Sequence, residues 1–323
     1  MYKHLIFFLA AILLFSCSQS NENSVTHFNG IKMTVPYRIT IGSPLSSRQK
    51  TEVQNIIEQT FDEINNIYNK WNPHSEISAL NRAEANKEHP LSPALYQFLV
   101  QVEELVNQTE GRFDPTIEPM QKLWKNAFGK GVFPSQSEID TLLPSVGWHH
   151  IHLTANGIWK DDSRSSLDLG GIAKGYAIDL IAQRLEKAGY RNLYVEWGGD
   201  IAVKGQHPEG RPWRVLVTKW GAPDDTQTVA ELKNLAIASS GDYLQNWSIE
   251  GNVYTHIFNP CTGEPMKITR QSICSVTVVA SNCLLADTIA TTAMLFGTKQ
   301  EAEEWLEHLK DRYPELQYWV YKR

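Results

Sequence analysis

The sequence predicts an α+β fold. Three observations carry this. Helical and strand patterns are mixed without a strict strand–helix–strand rhythm, there is no internal repeat, and no low-complexity linker divides the main part of the 323-residue chain. A 42% hydrophobic content is enough for a substantial core in one compact catalytic unit, taken as residues 29–323.

The elements follow in order. From Val53, the positions Ile56, Ile57, Phe61, Ile64, Ile67, Tyr68 and Trp71 recur at spacings of three and four, marking an amphipathic helix that ends near "WNPHS". A second helix opens at "LSPALYQFL", with Ser92 as cap and Pro93 in the first helical position, and stops at Gly111. "IDLIAQRLEKAG" is a third, closed by Gly189, and "NLYVEWGGD" is a strand entering a turn. "RPWRVLVTK" alternates its side chains, "SICSVTVVA" is a β-branched run, and "LLADTIATTAMLFG" is a short helix ending on Gly297.

The N-terminus has a different character. Lys3 and His4 precede "LIFFLAAILLF", an apolar run short for a membrane span, followed at once by "SCSQSNENS". Residues 1–17 are therefore read as a secretion signal, and "LFSC" resembles a bacterial lipobox that would leave Cys17 lipidated. Residues 18–28 would be a polar tether and the location the cell envelope, anchored by acyl chains. Cys261, Cys274 and Cys283 remain, an odd number with no zinc spacing, and are read as small buried hydrophobes. A net charge of −6 without a basic run excludes a nucleic-acid partner.

Four stretches could carry chemistry. "SSLDLGGIAKGYAID" looks like a phosphate loop but fails the test, because Lys174 is followed by Gly175 and not by serine or threonine. What remains is a strand end at Leu167 and Asp168, a glycine turn, and a helix whose first amides face any anion; taken alone, the glycines serve close helix packing. Asp287 and Thr291, four apart on one helix face, offer hard oxygens that suit Mg²⁺. By themselves they are better read as a helix-start carboxylate and a packing threonine. His256 in "THIFNPCTGEP" stands at a strand end before a turn, where a base could act, although a lone histidine is usually structural. "GRFDPTIEPMQKLW" pairs Phe113 with Asp114 ahead of a proline, either a ligand contact or a turn with a buried ring.

Together and in this order, the motifs resemble the ApbE family of FAD:protein FMN transferases: "MTVPYRI", "YNKWNPHSEISALN", "GRFDPTIEPMQKLW", "LDLGGIAKGYAID", "VEWGGDIAVKG", "IASSGDY", "YTHIFNPCTGEP", "SVTVVA" and "ADTIATTAMLFG". The resemblance implies mixed sheets packed with helices and FAD in a cleft. It implies transfer of the FMN part of FAD to a threonine or serine of an acceptor protein, with AMP released and Mg²⁺ assisting. Carried over, Asp287, Thr291 and the Gly171 carbonyl would hold Mg²⁺, and Met33, Trp71, Arg112, Phe113, Asp114, Asp168 and Lys174 would line the FAD site. His256 would be the base, and the acceptor a subunit of a membrane redox complex. Three positions depart from the family: Thr34 replaces a common glycine, Trp71 a frequent tyrosine, and Cys261 a frequent arginine. An FAD pyrophosphatase, or a flavin-binding lipoprotein without turnover, would use much of the same site.

Overall fold

Met33 and Thr34, both at positive φ (47° and 66°), form the two-residue turn between β1 (Thr26–Lys32) and β2 (Val35–Ile41). That geometry matches the twist of a hairpin, and a non-glycine residue there costs about 1 kcal/mol. The structure, a computed structural model, describes residues 25–155, 157–218, 228–243 and 245–323. The signal segment and Cys17 lie outside the described residues. The expected tether is shortened: Thr26–Phe28 already belong to β1, because Phe28 is buried in the main core.

Five helices follow: α1 (Ser47–Ile67), α2 (Glu76–Asn81), α3 (Pro93–Gln108), α4 (Glu118–Gly129) and α5 (Gln136–Leu142). The first starts six residues ahead of the apolar pattern because Ser46 and Gln49 make a reciprocal capping box. The α3 helix has the expected Ser92 cap. A small hairpin, β3 (Ile151–Thr154) and β4 (Gly157–Lys160), precedes α6 (Ala173–Lys187). The expected strand end at Leu167 and Asp168 is absent. Ser166 makes only an isolated bridge to Ile117, and Asp168 continues as a loop whose amide donates to the Pro115 carbonyl at 2.7 Å.

The rest of the chain is strand-rich: β5 (Leu193–Trp197), β6 (Asp200–Lys204), β7 (Trp213–Val217), β8 (Thr228–Leu232), β9 (Ala236–Gly241), β10 (Asn246–Ile249), β11 (Asn252–Asn259), β12 (Glu264–Ile268) and β13 (Ile273–Ala280). It closes with α7 (Cys283–Ala293), α8 (Lys299–Leu309) and β14 (Gln317–Lys322). Seven strands form the central sheet in the order β1-β2-β5-β6-β9-β13-β14, each neighbour antiparallel. The α+β expectation therefore holds, without the parallel crossovers of a doubly wound sheet.

Both faces of that sheet are covered. Ile39, Val195, Ala238, Val276 and Val278 join Ile57, Phe61, Ile178 and Ile289 of the helices in the main core. On the other face, Ile201, Val203, Ile237 and Val279 pack under the β7–β8 hairpin through Trp213, Val217 and Leu232. This explains why every residue of β13 is buried. A separate core lies outside the sheet, where Ile117, Met120, Trp124 and Phe128 meet Ile249 and Phe258 of the three-stranded β10-β11-β12 sheet.

Candidate active site

Three elements of the central sheet layer bring one group of charged residues together. The N-terminal turn of α6 carries Lys174, the turn at Gly198 and Gly199 delivers Asp200 to the start of β6, and α7 carries Asp287. Lys174 is ion-paired with Asp200, whose other oxygen accepts the Ser239 amide of β9 at 3.1 Å. Burial works against the Lys174 charge, but Asp200 and Asp287 outweigh it and hold the ammonium above its ordinary value. Asp287 is buried, and burial pushes its carboxyl well above the usual carboxylate range despite the nearby Lys174. Its Oδ2 has no hydrogen-bond partner among the described residues. One turn further along α7, the Thr291 hydroxyl lies 2.9 Å from that of Ser240 on β9.

The position of α7 is set by α6. Asp179 accepts the amides of Cys283 and Leu284, both at 2.8 Å, while the Asn282 side chain accepts that of Leu285. These bonds satisfy the free donors of the helix start. Burial raises the Asp179 carboxyl to about 6, offset in part by the two amides. The helices also approach closely: a Cβ on Gly175 would lie 2.6 Å from the Cys283 carbonyl oxygen.

Gly171 sits in the turn before α6, its α-carbon facing the Phe113 ring. Phe113 is buried, as the plainer reading of its motif required. Asp114, expected to line the FAD site, is buried with both oxygens engaged inside the protein: Oδ1 accepts the Thr116 amide and hydroxyl at 2.9 and 2.6 Å, and Oδ2 the Trp148 amide at 2.8 Å. It thereby fixes the loop that presents Arg112, whose guanidinium lies 4.6 Å from the Phe296 ring beyond α7. Met33 packs on the main core at the hairpin tip, and neighbouring Val35 abuts Gly198, close to the Lys174 stem.

The second half of the site stands on α4 and the small sheet. Asp168 is ion-paired with Lys70 at 2.9 Å, and Lys70 also pairs with the buried Glu118. Trp71, next to Lys70, is 73% exposed, an unusual state for an indole and one that leaves its face available to a ligand. Lys70 and Lys125 lie 5.0 and 4.8 Å from its ring. His256 falls inside β11 and not at its end, where the pairing with β12 shifts register between Tyr254 and Phe258. Its Nδ1 is 3.3 Å from the Gln245 carbonyl, which as a donor contact leaves Nε2 to accept a proton. Burial, then Lys125, lower its pKa from the ordinary histidine value, against Asp168 and Asp242.

Sequence reasoning missed Asp200, Asp179, Lys70 and Lys125. A carboxylate opening the apolar run Ile201–Val203 was a usable signal for Asp200, because a buried charge needs a partner. Cys274 and Cys283 are buried as expected; Cys261 is exposed, at the edge of a cavity of about 250 Å³ shared with Gly111, Asp114 and Gly147.

A model of the ApbE family matches residues 33–316. The chain is 39% identical over 303 residues to a Chlamydia pneumoniae protein named FAD:protein FMN transferase, covering 93% of this chain and 94% of that one. It is 31% identical over 306 residues to a Vibrio cholerae protein of the same name, covering 93% and 89%. Among solved structures, the apo form of the Pseudomonas stutzeri flavinyl transferase ApbE matches with a TM-score of 0.80 at 25% identity, over 93% of this chain and 91% of that one. The flavin transferase ApbE from Vibrio cholerae matches with a TM-score of 0.77 at 28% identity, over 92% and 93%.

Proposed function

The chain belongs to the ApbE family, and from that premise we propose that it transfers the FMN part of FAD to a threonine or serine hydroxyl of an acceptor protein, with Mg²⁺ assisting. A bond forms between the acceptor oxygen and the FMN phosphorus as the bond from that phosphorus to the AMP phosphate oxygen breaks. The hydroxyl proton passes to His256, and AMP leaves with the bridging oxygen.

The single observation that carries this reading is the unpartnered, buried Oδ2 of Asp287, one helical turn from the Thr291 hydroxyl. A buried carboxylate oxygen without a donor is costly unless a cation completes it. The donors are hard oxygens, which fit Mg²⁺: Asp287, Thr291 and the Gly171 carbonyl. No group of three or more His, Cys, Asp or Glu side chains suited to a metal occurs among the described residues. So sparse a set fits an ion that completes its shell with water and substrate phosphate oxygens. When bound, the ion supplies neutralisation of charge on the reacting phosphates.

The chain's own groups do the remaining work. Trp71 offers an exposed ring to the flavin, Met33, Arg112, Phe113 and Asp168 shape the FAD cleft, and Lys174 adds positive charge beside Asp287. His256, kept neutral near pH 7, takes the acceptor proton, a role typically worth about 10²–10⁴-fold in rate. Residues 1–17 as a lipoprotein signal, lipid on Cys17 and a location in the cell envelope form part of the same proposal. Support comes from the apolar run ending in "LFSC". No helix among the described residues is long and apolar enough to cross a membrane, and a lipid anchor needs none. A membrane redox subunit is the proposed acceptor.

The test is to incubate the protein with FAD, Mg²⁺ and a candidate acceptor and to weigh the products by mass spectrometry. FMN mass on a threonine or serine of the acceptor, with one AMP per transfer, is expected. Free FMN without acceptor modification would identify a pyrophosphatase, and intact FAD a binding protein.

A further inference from the structure

Most lysines around the site are already neutralised. Lys70 pairs with Glu118 and Asp168, Lys122 with Glu118, and Lys174 with Asp200. Lys125 of α4 differs: its Nζ lies over the Trp71 ring at 4.8 Å, and no ion pair joins it to a carboxylate among the described residues. Its charge also reaches His256. One uncompensated ammonium thus stands within range of both the exposed ring and the base, in a protein of net charge −6.

The chemistry of the donor says what belongs beside it. With the flavin ring on Trp71 and the acceptor hydroxyl at His256, the connecting group is the ribityl chain ending in the FMN phosphate. We infer that Lys125 is a further substrate-contacting residue, pairing its ammonium with the FMN phosphate of FAD. The inference rests on the transferase reading above and adds to it a cation supplied by α4.

The energetics favour an exchange of partners. An ammonium over an exposed aromatic ring is only weakly held, whereas a charge-assisted bond to phosphate is roughly twice as strong as a neutral one. Arrival of the donor therefore gives the Lys125 ammonium a stronger partner than the indole. Lys70 cannot substitute, because its ammonium is committed to Glu118 and Asp168.

The experiment compares FAD, FMN and riboflavin binding, followed by flavin fluorescence quenching with Mg²⁺ present, for the whole protein and for Lys125→Met and Lys125→Arg. Expected for Lys125→Met is at least fivefold weaker binding of FAD and FMN with riboflavin unchanged, since riboflavin has no phosphate; Lys125→Arg recovers most of the loss. An equal loss for all three ligands would show that Lys125 only props Trp71, and no loss would place the phosphate elsewhere; either overturns the inference. Thermal melting checks the fold, and Lys125→Gln gives the same comparison if the Met variant does not fold. Because binding is read without acceptor, failure of FMN transfer in the wild type sinks the transferase reading and leaves this comparison to be judged separately.

Discussion

Lys174 and Asp200, 26 residues apart in sequence, are ion-paired at the junction of α6 and β6, and the same carboxylate reaches the Ser239 amide of β9. Asp200 is 1% exposed, while Lys174 keeps about a quarter of its side chain accessible. Removing one partner of a buried pair costs about 3–5 kcal/mol, so with Lys174 about a quarter accessible Asp200→Ala should lose about 2–4 kcal/mol in urea unfolding. Asp200→Asn, which keeps an acceptor for Ser239, should raise the KM for FAD more than it lowers kcat.

Gly175→Ala tests the spacing of the two helices. The added methyl would meet the Cys283 carbonyl oxygen at 2.6 Å and the Leu284 α-carbon at 3.0 Å, both backbone atoms that cannot swing aside. A loss of about 1–3 kcal/mol is expected in thermal or urea unfolding. Mg²⁺ titration of the transfer rate should shift to higher concentration, because Asp287 is displaced along with α7.

Trp71→Ala separates binding from stability. The ring is 73% exposed, so unfolding free energy should change by no more than about 0.5 kcal/mol. Aromatic stacking on a flat heterocycle is worth roughly 1–3 kcal/mol, so FAD affinity should fall by about five- to a hundredfold in a fluorescence titration. Unchanged FAD affinity would remove Trp71 from the donor site.

His256 sets the pH dependence. Burial and Lys125 place its folded pKa below 6.5, so the neutral base is already present at pH 7. Transfer should be flat above neutrality and fall as pH drops through that lowered value. The stability sign is the same: between the folded value and 6.5 the unfolded chain binds more protons, so this residue's contribution rises with pH across that window. Comparing wild type with His256→Gln from pH 5 to 8, by rate and by unfolding, isolates both effects.

What was readable in the sequence divides along physical lines. Ser92 with Pro93, the amphipathic period of α1 and the β-branched run of β13 are local signals, and each element formed, although α1 starts early at Ser47 and stops at Ile67, leaving Trp71 outside the helix and exposed. Helical spacing puts Asp287 and Thr291 on one face, but it was the resemblance to the family that singled them out as a metal pair. Contacts across the sheet were not readable. Nothing local joins Asp179 to the start of α7 more than a hundred residues later, or Lys70 to Glu118, because the packing of distant helices and loops sets those meetings. His256 was placed at a strand end because the turn after it is conspicuous, whereas the register shift that re-aims its part of β11 depends on pairing with β12. Cys261 was read as buried from composition, and the turn that carries it faces outward.

The two halves of the site stand on different foundations: Lys174, Asp200 and Asp287 on the large sheet and its helices, His256 and Lys125 on the small sheet and α4, whose apolar residues form a core of their own. A lineage can therefore remodel the surface that meets a protein client without re-engineering the machinery that handles the nucleotide. Divergence between species should gather in α5 and in those positions of α4 and the β10-β11-β12 arm away from Lys125 and His256, and leave α6, β6 and α7 as the shared inheritance.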